Sequence, residues 1–192
     1  MYCRFQKIQP VTLLEFYIVS MPERRLVKAN PHAVPLMLDI VESTLSLPSG
    51  GALHRQVIDG FASQSATETS FGQCEYFLGF EEHFPFGFVG LKALDDCGEF
   101  CGPFLYRDYV GKGLGDYLMT EIIRLARAEE MRLLFTMIPR DATRAQDFLI
   151  RNDFESISGD AGFIKRWRDG LLADRPLESG MVLFARLIGL DE

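Results

Sequence analysis

Hydrophobic and polar positions follow two different periods along this chain, and the two periods predict its helices and strands. Between residues 113 and 128 apolar residues recur every three or four positions and polar residues occupy the opposite face, which predicts an amphipathic helix. Short apolar runs bounded by Gly, Pro, Asn or Asp predict strands. On these criteria the helices are 31–45, 52–62, 113–128 and 141–154, and the strands are 24–29, 74–82, 86–94, 99–106, 132–138, 162–167 and 181–188.

Local signals predict where several of these elements begin. Asn30 precedes Pro31, and proline is favoured at the first position of a helix, so a helix is expected to start there. Asp141 is a candidate N-cap for the helix that follows it. The runs 74–82 and 86–94 are separated by a short connection, which predicts a β-hairpin.

The order of the elements, β-α-α-β-β-β-α-β-α-β-β, predicts a mixed α/β fold. Closely spaced strands favour antiparallel pairing, while the helix over 113–128 joins two strands as a β-α-β crossover. We therefore expect a mostly antiparallel central sheet with that crossover and flanking helices. The 192 residues suit one domain of ordinary size. Residues 1–23 are expected to form an N-terminal extension, a strand or an arm, and residues 24–192 the domain itself.

Composition and charge then limit the classes of partner. Apolar residues make up 47% of the chain and charged residues 24%, which is typical of a soluble globular protein. The net charge of −7 disfavours a nucleic acid as partner, because domains that bind one are usually basic. The apolar run over 11–20 contains Glu15, so it predicts neither a membrane span nor a secretory signal. No nucleic acid and no membrane are expected as partners.

Cysteine and histidine spacing gives little sign of a metal site. The four cysteines form no C-x-x-C pair, and reduced thiols in the cytoplasm are the expectation for such a chain. The histidines also lack metal-ligand spacing. A zinc site would need Cys97, Cys101 and His83 together with a fourth ligand that has no obvious source.

The segment 109–117, "YVGKGLGDY", is the clearest candidate for a binding site. Gly111, Gly113 and Gly115 stand between a predicted strand and a long predicted helix, and Lys112 lies among them. The first N–H groups of a helix have no partner within the helix, and this end of the helix dipole is partly positive. Glycine lets a ligand approach the backbone closely. The pattern therefore favours an anion site, such as one for phosphate, over a tight turn alone.

Two nucleotide-binding motifs can be compared with this segment. A Walker A loop requires G-x-x-x-x-G-K-[ST], but Gly113 follows Lys112 and Tyr106 stands at the first position. A dinucleotide fingerprint requires G-x-G-x-x-G, and Asp116 stands where its third glycine should be. Asp141 beyond the next strand keeps a nucleotide-dependent oxidoreductase fragment open as an alternative, although too little chain follows for a full doubly wound sheet.

Residues 110–115 resemble motif A of the GNAT acyltransferase superfamily, [QR]-x-x-G-x-[GA]. The similarity extends to "FGFVGLKAL", which resembles the family's third strand, and to "ATRAQDFLIRNDF", which resembles a later helix, and it covers residues 24 to 188 approximately. In that family the loop amides bind the pyrophosphate of acetyl-CoA or another acyl-CoA. The resemblance implies a GNAT-like fold and a CoA site formed by the backbone of Phe104 and Leu105, for the pantetheine arm, and by Val110, Gly111, Lys112, Gly113, Leu114 and Gly115, for the phosphates.

The chain departs from the family pattern at several positions. Val110 replaces an Arg or Gln, Ala142 an Asn that often contacts the cofactor, and Leu149 a Tyr that often acts as general acid. Pro103 lies in the strand that would pair with the pantetheine arm, where it suits a splay or a bulge. Cationic neighbours of the phosphates could be Lys112, Arg107, Arg140 and Arg144.

The resemblance also implies the chemistry. Glu99, eleven residues before Val110, matches the glutamate that serves as base in several members, and strand alternation places Cys97, Glu99 and Cys101 on one face. With Leu149 in the tyrosine position, the candidate acids are Tyr106, Tyr109 and solvent. The implied function is acyl-CoA-dependent N-acyltransfer to an amine of a small molecule or protein. The alternative is a catalytically silent acyl-CoA-binding sensor or interaction module. The expected partners are acyl-CoA and an amine acceptor, and a homodimer is among the assemblies open to the chain.

Overall fold

The structure, a computed structural model, describes residues 22–45, 74–157 and 180–189. Within these residues a seven-stranded sheet is flanked by α-helices. The strands are β1 (Arg24–Lys28), β2 (Glu75–Glu81), β3 (Phe84–Leu94), β4 (Cys97–Leu105), β5 (Leu133–Pro139), β6 (Glu155–Ser156) and β7 (Met181–Leu187), and the α-helices are α1 (Val34–Leu45), α2 (Leu114–Ala128) and α3 (Thr143–Arg151). The predicted helix over 52–62, the predicted strand over 162–167 and most of the proposed extension over 1–23 lie outside the described residues.

The sheet has the strand order β1-β2-β3-β4-β5-β7-β6. Every pair of neighbours is antiparallel except β4 and β5, which run parallel because α2 carries the chain across between them. The predicted fold class, a mostly antiparallel sheet with one β-α-β crossover, is therefore confirmed. None of the helices in the described ranges is long and apolar enough to cross a membrane.

One of the two predicted helix starts is confirmed and the other is wrong. The Asn30 side chain accepts a hydrogen bond from the amide of His32 at 3.0 Å, and a 3-10 turn with Pro31 at its start leads into α1. Asp141, in contrast, is not an N-cap. The N-cap position of α3 is Ala142, which makes no side-chain cap, because the turn after β5 uses one residue more than the sequence pattern suggests.

The apolar residues of the sheet divide between its two faces. One face packs against α2 and α3 and forms the largest core cluster, in which Leu118 and Ile122 are fully buried. The opposite face packs against α1 around Phe88 and, farther along the sheet, forms a third cluster around Leu133 and Phe135. The helix predicted from the apolar stripe over 113–128 is therefore the element that covers the sheet beside the glycine segment.

Cys97 lies fully buried in the third cluster, and its thiol is 3.6 Å from a carboxylate oxygen of Asp96. Burial, reinforced by Asp96, raises the pKa of this thiol to about 12, from a usual value near 9.0. Because the folded state holds the proton more tightly than the unfolded chain, this group contributes stability below pH 9 that is lost as the pH rises toward 12.

We therefore expect the free energy of unfolding of the wild type to fall more steeply with pH than that of Cys97→Ala. Between pH 9 and 12 the extra slope should approach about 1.4 kcal/mol per pH unit. Urea denaturation at a series of pH values in this window measures both slopes. Parallel curves for the two proteins would contradict the expectation.

Candidate functional site

The parallel strands β4 and β5 pair only at their beginnings and then separate. The paired positions are Cys97 with Leu133, Gly98 with Leu134 and Glu99 with Phe135. The other edge of β4 stays paired with β3 as far as Leu105. We call the region between β4 and β5 beyond Glu99, where backbone groups of β4 face β5 without a ladder, the V-shaped opening. An extended ligand with amide groups can hydrogen bond to such an edge.

The opening leads to the glycine loop, residues 110–113, which follows a 3-10 turn over Arg107–Tyr109 and precedes α2. Gly111 has φ of 82° and Gly113, the N-cap of α2, has φ of 75°. Both values lie in the left-handed region that favours glycine. A Cβ added at either residue would meet no atom within 4 Å, so open space adjoins both. The amides of the first turn of α2 have no partner within the helix, and Gly113 has no side chain to cap them.

Gly115 serves a different purpose from the two glycines before it. It lies inside α2, and an added Cβ would come within 3.2 Å of the Phe148 ring on α3 and 3.6 Å of Leu105. The missing side chain therefore lets α2 pack closely against α3 and β4. Its amide still belongs to the first turn of α2, so the predicted role of its backbone stays a prediction.

Two aromatic contacts involve residues of the glycine loop or next to it. The ring of Tyr109 packs against Phe86 of β3 with a centroid distance of 6.2 Å. The ammonium group of Lys112 lies 5.4 Å from the centroid of the Tyr109 ring. A cation is thus held beside the glycines by an aromatic face. Of the other predicted cations, Arg107 lies in the 3-10 turn, Arg140 in the turn after β5, and Arg144 in the first turn of α3.

Glu99 stands where β4 and β5 part, because it is the last residue of β4 that pairs with β5. Its cross-strand neighbour on β3 is Lys92. Cys97 and Cys101 belong to the two clusters on the sheet face away from α2, whereas Phe100 packs on the α2 face. The predicted common face of Cys97, Glu99 and Cys101 is therefore confirmed. The Glu99 carboxylate is half-buried at the narrow end of the opening.

Tyr106 lies at the other end of the opening. Its hydroxyl donates a hydrogen bond to Oδ2 of Asp39 on α1 at 2.5 Å. Burial, and then Asp39, raise the pKa of Tyr106 to about 12. Six residues, 100–105, lie between Glu99 and Tyr106 along β4, and the Tyr106 hydroxyl is directed to α1.

The helix α3 offers no hydroxyl at the position that resembles the family's tyrosine. Leu149 is 2% exposed and packs in the core cluster with α2. Within the described residues no group of three or more His, Cys, Asp or Glu side chains is arranged to hold a metal ion. Cys97 and Cys101 lie in separate clusters, and His83 lies in the β2–β3 turn, so the zinc alternative is not assembled.

Sequence reasoning missed three polar residues of α1 that contact the segment between β4 and the loop. Asp39, Ser43 and Thr44 hydrogen bond to Tyr106, Arg107 and Leu105 respectively. The partners are 61 to 67 residues apart in the chain. Polar residues on a helix are usually solvated, so no local sequence signal distinguished these three from ordinary surface residues.

Comparison with known proteins places this geometry in a family. The family model described as "Acetyltransferase (GNAT) family" matches residues 51–154, more than half of the chain. No curated protein matches the sequence. Among solved structures, the PaiA N-acetyltransferase of Thermoplasma acidophilum in complex with coenzyme A has a TM-score of 0.64 at 12% identity, covering 86% of this chain and 99% of that one.

Two further structures have the same fold. A GNAT-family acetyltransferase of Staphylococcus aureus Mu50 has a TM-score of 0.65 at 15% identity and covers 86% of this chain and 99% of its own. The ribosomal-protein-S18-alanine N-acetyltransferase of Escherichia coli has a TM-score of 0.61 at 14% identity, with 88% and 97% covered. At these identities the likeness establishes the fold, and the family match rests on the sequence model.

Proposed function

The chain belongs to the acetyltransferase (GNAT) family, in which acyl-CoA is the co-substrate, and we propose that it transfers an acyl group, from acetyl-CoA or another acyl-CoA, to an amine of a small molecule or protein. The observation that carries this proposal is the V-shaped opening between β4 and β5, which runs from Glu99 to the glycine loop. An acyl-CoA is an extended molecule with a charged pyrophosphate at one end, amide groups along its arm and a thioester at the other end.

Each part of this ligand meets suitable chemistry in the opening. The pyrophosphate would bind at the segment Val110–Gly115, where open space adjoins Gly111 and Gly113 and Lys112 adds a positive charge. The amides of Val110 and Lys112 already donate to the carbonyls of Arg107 and Tyr109 at 3.2 and 3.4 Å, so the donors we propose are the amides of Gly111, Gly113, Leu114 and Gly115. The arm would run back along β4, with its amides on the backbone of Phe104 and Leu105. The thioester would then approach the narrow end of the opening, beside Glu99.

The reaction needs a neutral amine and a group that takes its proton. The nitrogen lone pair attacks the thioester carbonyl carbon, so a C–N bond forms and the C–S bond breaks, with the electron pair leaving on sulfur. The proton lost by the amine passes to Glu99, directly or through a water molecule, and the CoA thiolate takes a proton from solvent or from the same relay. Glu99 is the residue we assign as the general base.

Tyr106 fits the acid role less well than its sequence position suggests. Because Tyr106 lies between the end of β4 and the turn before the glycine loop, we infer that it would lie near the phosphate end of the ligand, away from the thioester. A phenol with pKa of about 12 also holds its proton more tightly than a thiol, whose pKa is about 8.5, so transfer to the departing sulfur would be uphill. We propose that Tyr106 has a positioning role.

The second candidate is a module that binds acyl-CoA without turning it over. The burial of Leu149 favours it, since α3 then presents no acid for the leaving sulfur. Incubation of acetyl-CoA with a panel of small amines and amine-bearing peptides, read by release of free thiol and by mass spectrometry, separates the two. Turnover supports the enzyme, and stoichiometric binding without turnover supports the binding module.

A thermal-shift comparison of CoA with NADPH tests the ligand class. We expect CoA to raise the melting temperature, because a ligand that binds only the folded state stabilises it. A shift with NADPH and none with CoA would favour the oxidoreductase alternative.

The proposed domain division, an extension over 1–23 and a GNAT domain over 24–192, is tested by the same assay on a chain that begins at residue 24.

A further inference from the structure

Helix α1 makes three hydrogen bonds to three consecutive residues at the wide end of the opening. The Tyr106 hydroxyl donates to Asp39 at 2.5 Å, and the Arg107 amide donates to the Ser43 hydroxyl oxygen at 3.1 Å. The Thr44 hydroxyl lies 2.5 Å from the carbonyl oxygen of Leu105 and 2.8 Å from that of Ile40 in α1, so the two carbonyls share its one proton. We call Asp39, Ser43 and Thr44 the α1 clamp.

The clamp acts at the point where β4 ends and the glycine loop begins. Leu105 is the last residue of β4, and the Tyr106 amide still donates to the carbonyl of Phe86 on β3 at 2.9 Å. Residues 105–107 are therefore held by a hydrogen bond to β3 and by hydrogen bonds to α1. None of these contacts comes from β5, the strand across the opening.

Two kinds of feature oppose continuation of the parallel pair after Glu99. Within β4, Pro103 has no N–H to donate and the register against β3 shifts between Phe88 and Gly90. The α1 clamp adds a restraint at the far end of the strand. Two adjacent strands that carry free N–H and C=O groups gain hydrogen bonds by continuing their ladder. Residues beyond Glu99 could pair with residues beyond Phe135 if β4 moved toward β5. The clamp fixes the far end of β4 to α1 and so opposes that closure.

We propose that the α1 clamp is a positioning device for acyl-CoA, which holds the opening and the glycine loop in their binding geometry before the ligand arrives. This inference rests on the proposed function and adds residues to it that lie outside the family motif. Binding to a preformed site avoids the cost of ordering the site on binding. The hydroxyl proton of Tyr106 is committed to Asp39, so Tyr106 acts through the position of the loop.

A double-mutant cycle between Asp39 and Tyr106 tests the clamp. We expect Tyr106→Phe and Asp39→Ala each to weaken CoA binding about five- to tenfold in isothermal titration calorimetry, the size of one lost hydrogen bond. Both variants should remain folded. The double variant should bind CoA about as tightly as the single variant with the lower CoA affinity, because both changes remove the same contact.

Tyr117→Phe is the matched control. Tyr117 is a half-buried tyrosine of α2 that packs against Phe86, outside the clamp, and the substitution likewise removes one hydroxyl. We expect its CoA affinity to equal that of the wild type. Wild-type affinity in both clamp variants would overturn the proposal. A loss of kcat with an altered pH profile in Tyr106→Phe, absent from Asp39→Ala, would overturn it in favour of a catalytic acid.

Hydrogen exchange of the ligand-free protein separates failure of the clamp from failure of the proposed function. If the wild type binds no CoA, the proposed function fails, but the clamp can still be measured. We expect the amides of residues 105–113 to exchange faster in Tyr106→Phe and in Asp39→Ala than in the wild type and in Tyr117→Phe. Unchanged exchange in both clamp variants would show that α1 does not hold the loop.

Discussion

Replacement of Glu99 by Gln is expected to lower kcat at neutral pH at least about a hundredfold while CoA binding stays intact, because a positioned base contributes roughly 10²–10⁴ in rate. Gln keeps the size and hydrogen-bonding shape of the side chain but cannot take the proton from the amine. Glu99 is the last residue of β4 that pairs with β5, so the same change leaves the glycine loop untouched. Steady-state kinetics with the acceptor found in the amine screen measure the effect.

The pH dependence of the variant gives a second readout. An amine that loses its proton to solvent needs no base, so the rate of Glu99→Gln should rise with pH until the amine's own pKa, about 8 for an α-amino group and about 10.4 for a lysine side chain. The wild type should reach its plateau at lower pH than the variant. Glu75→Gln is the control, since Glu75 is an exposed glutamate of β2 that pairs with Lys28. An unchanged kcat in Glu99→Gln would show that Glu99 is structural and that the proton goes elsewhere.

Replacement of Gly113 by Val is expected to weaken CoA binding at least tenfold, which corresponds to about 1.4 kcal/mol. Gly113 has φ of 75° as the N-cap of α2, a conformation that costs an L residue about 1–2 kcal/mol and a β-branched residue more. Any relaxation of that strain turns the loop amides away from the bound phosphates. The added side chain would also enter the open space that the ligand needs.

Gly180→Val is the matched control for this variant. Gly180, which precedes β7, has φ of 97°, and no atom lies within 4 Å of an added Cβ there. Thermal melts without ligand should show comparable losses of stability for the two variants, since both place valine in left-handed backbone. Calorimetry with CoA should show the loss of affinity in Gly113→Val alone. If Gly113→Val is folded and binds CoA like the wild type, the phosphates bind elsewhere.

Much of this protein follows from its sequence, because local periodicity and turn chemistry are local properties. The stripe of leucines and isoleucines predicted α2, and the structure buries Leu114, Leu118 and Ile122 in the core. The Asn30-Pro31 pair predicted the start of the first helix, and the Asn30 cap is present. The alternating glycines predicted a backbone that a ligand can approach closely, and open space adjoins Gly111 and Gly113. The motif that they form pointed to the family that the sequence model identifies.

Other features depended on contacts between residues far apart in the chain. Gly115 belongs to the same motif as Gly113, but only the position of Phe148 shows that its missing side chain serves packing. Leu149 looked like a lost catalytic group, and the structure buries it in the core. Asp141 failed as a cap because the length of the turn after β5 depends on how that strand meets the helix, which composition alone does not specify.

By itself, then, the sequence determined the fold class, the loop and, within the described residues, the α-helices and the strands other than β6, since each depends on neighbours within a few positions or on a family motif. Tertiary structure decided the geometry of the site. It ended the β4–β5 ladder at Glu99 and set Tyr106 against Asp39 across 67 residues. Such outcomes depend on which surfaces pack against each other, and no local pattern of hydrophobic and polar residues encodes that choice.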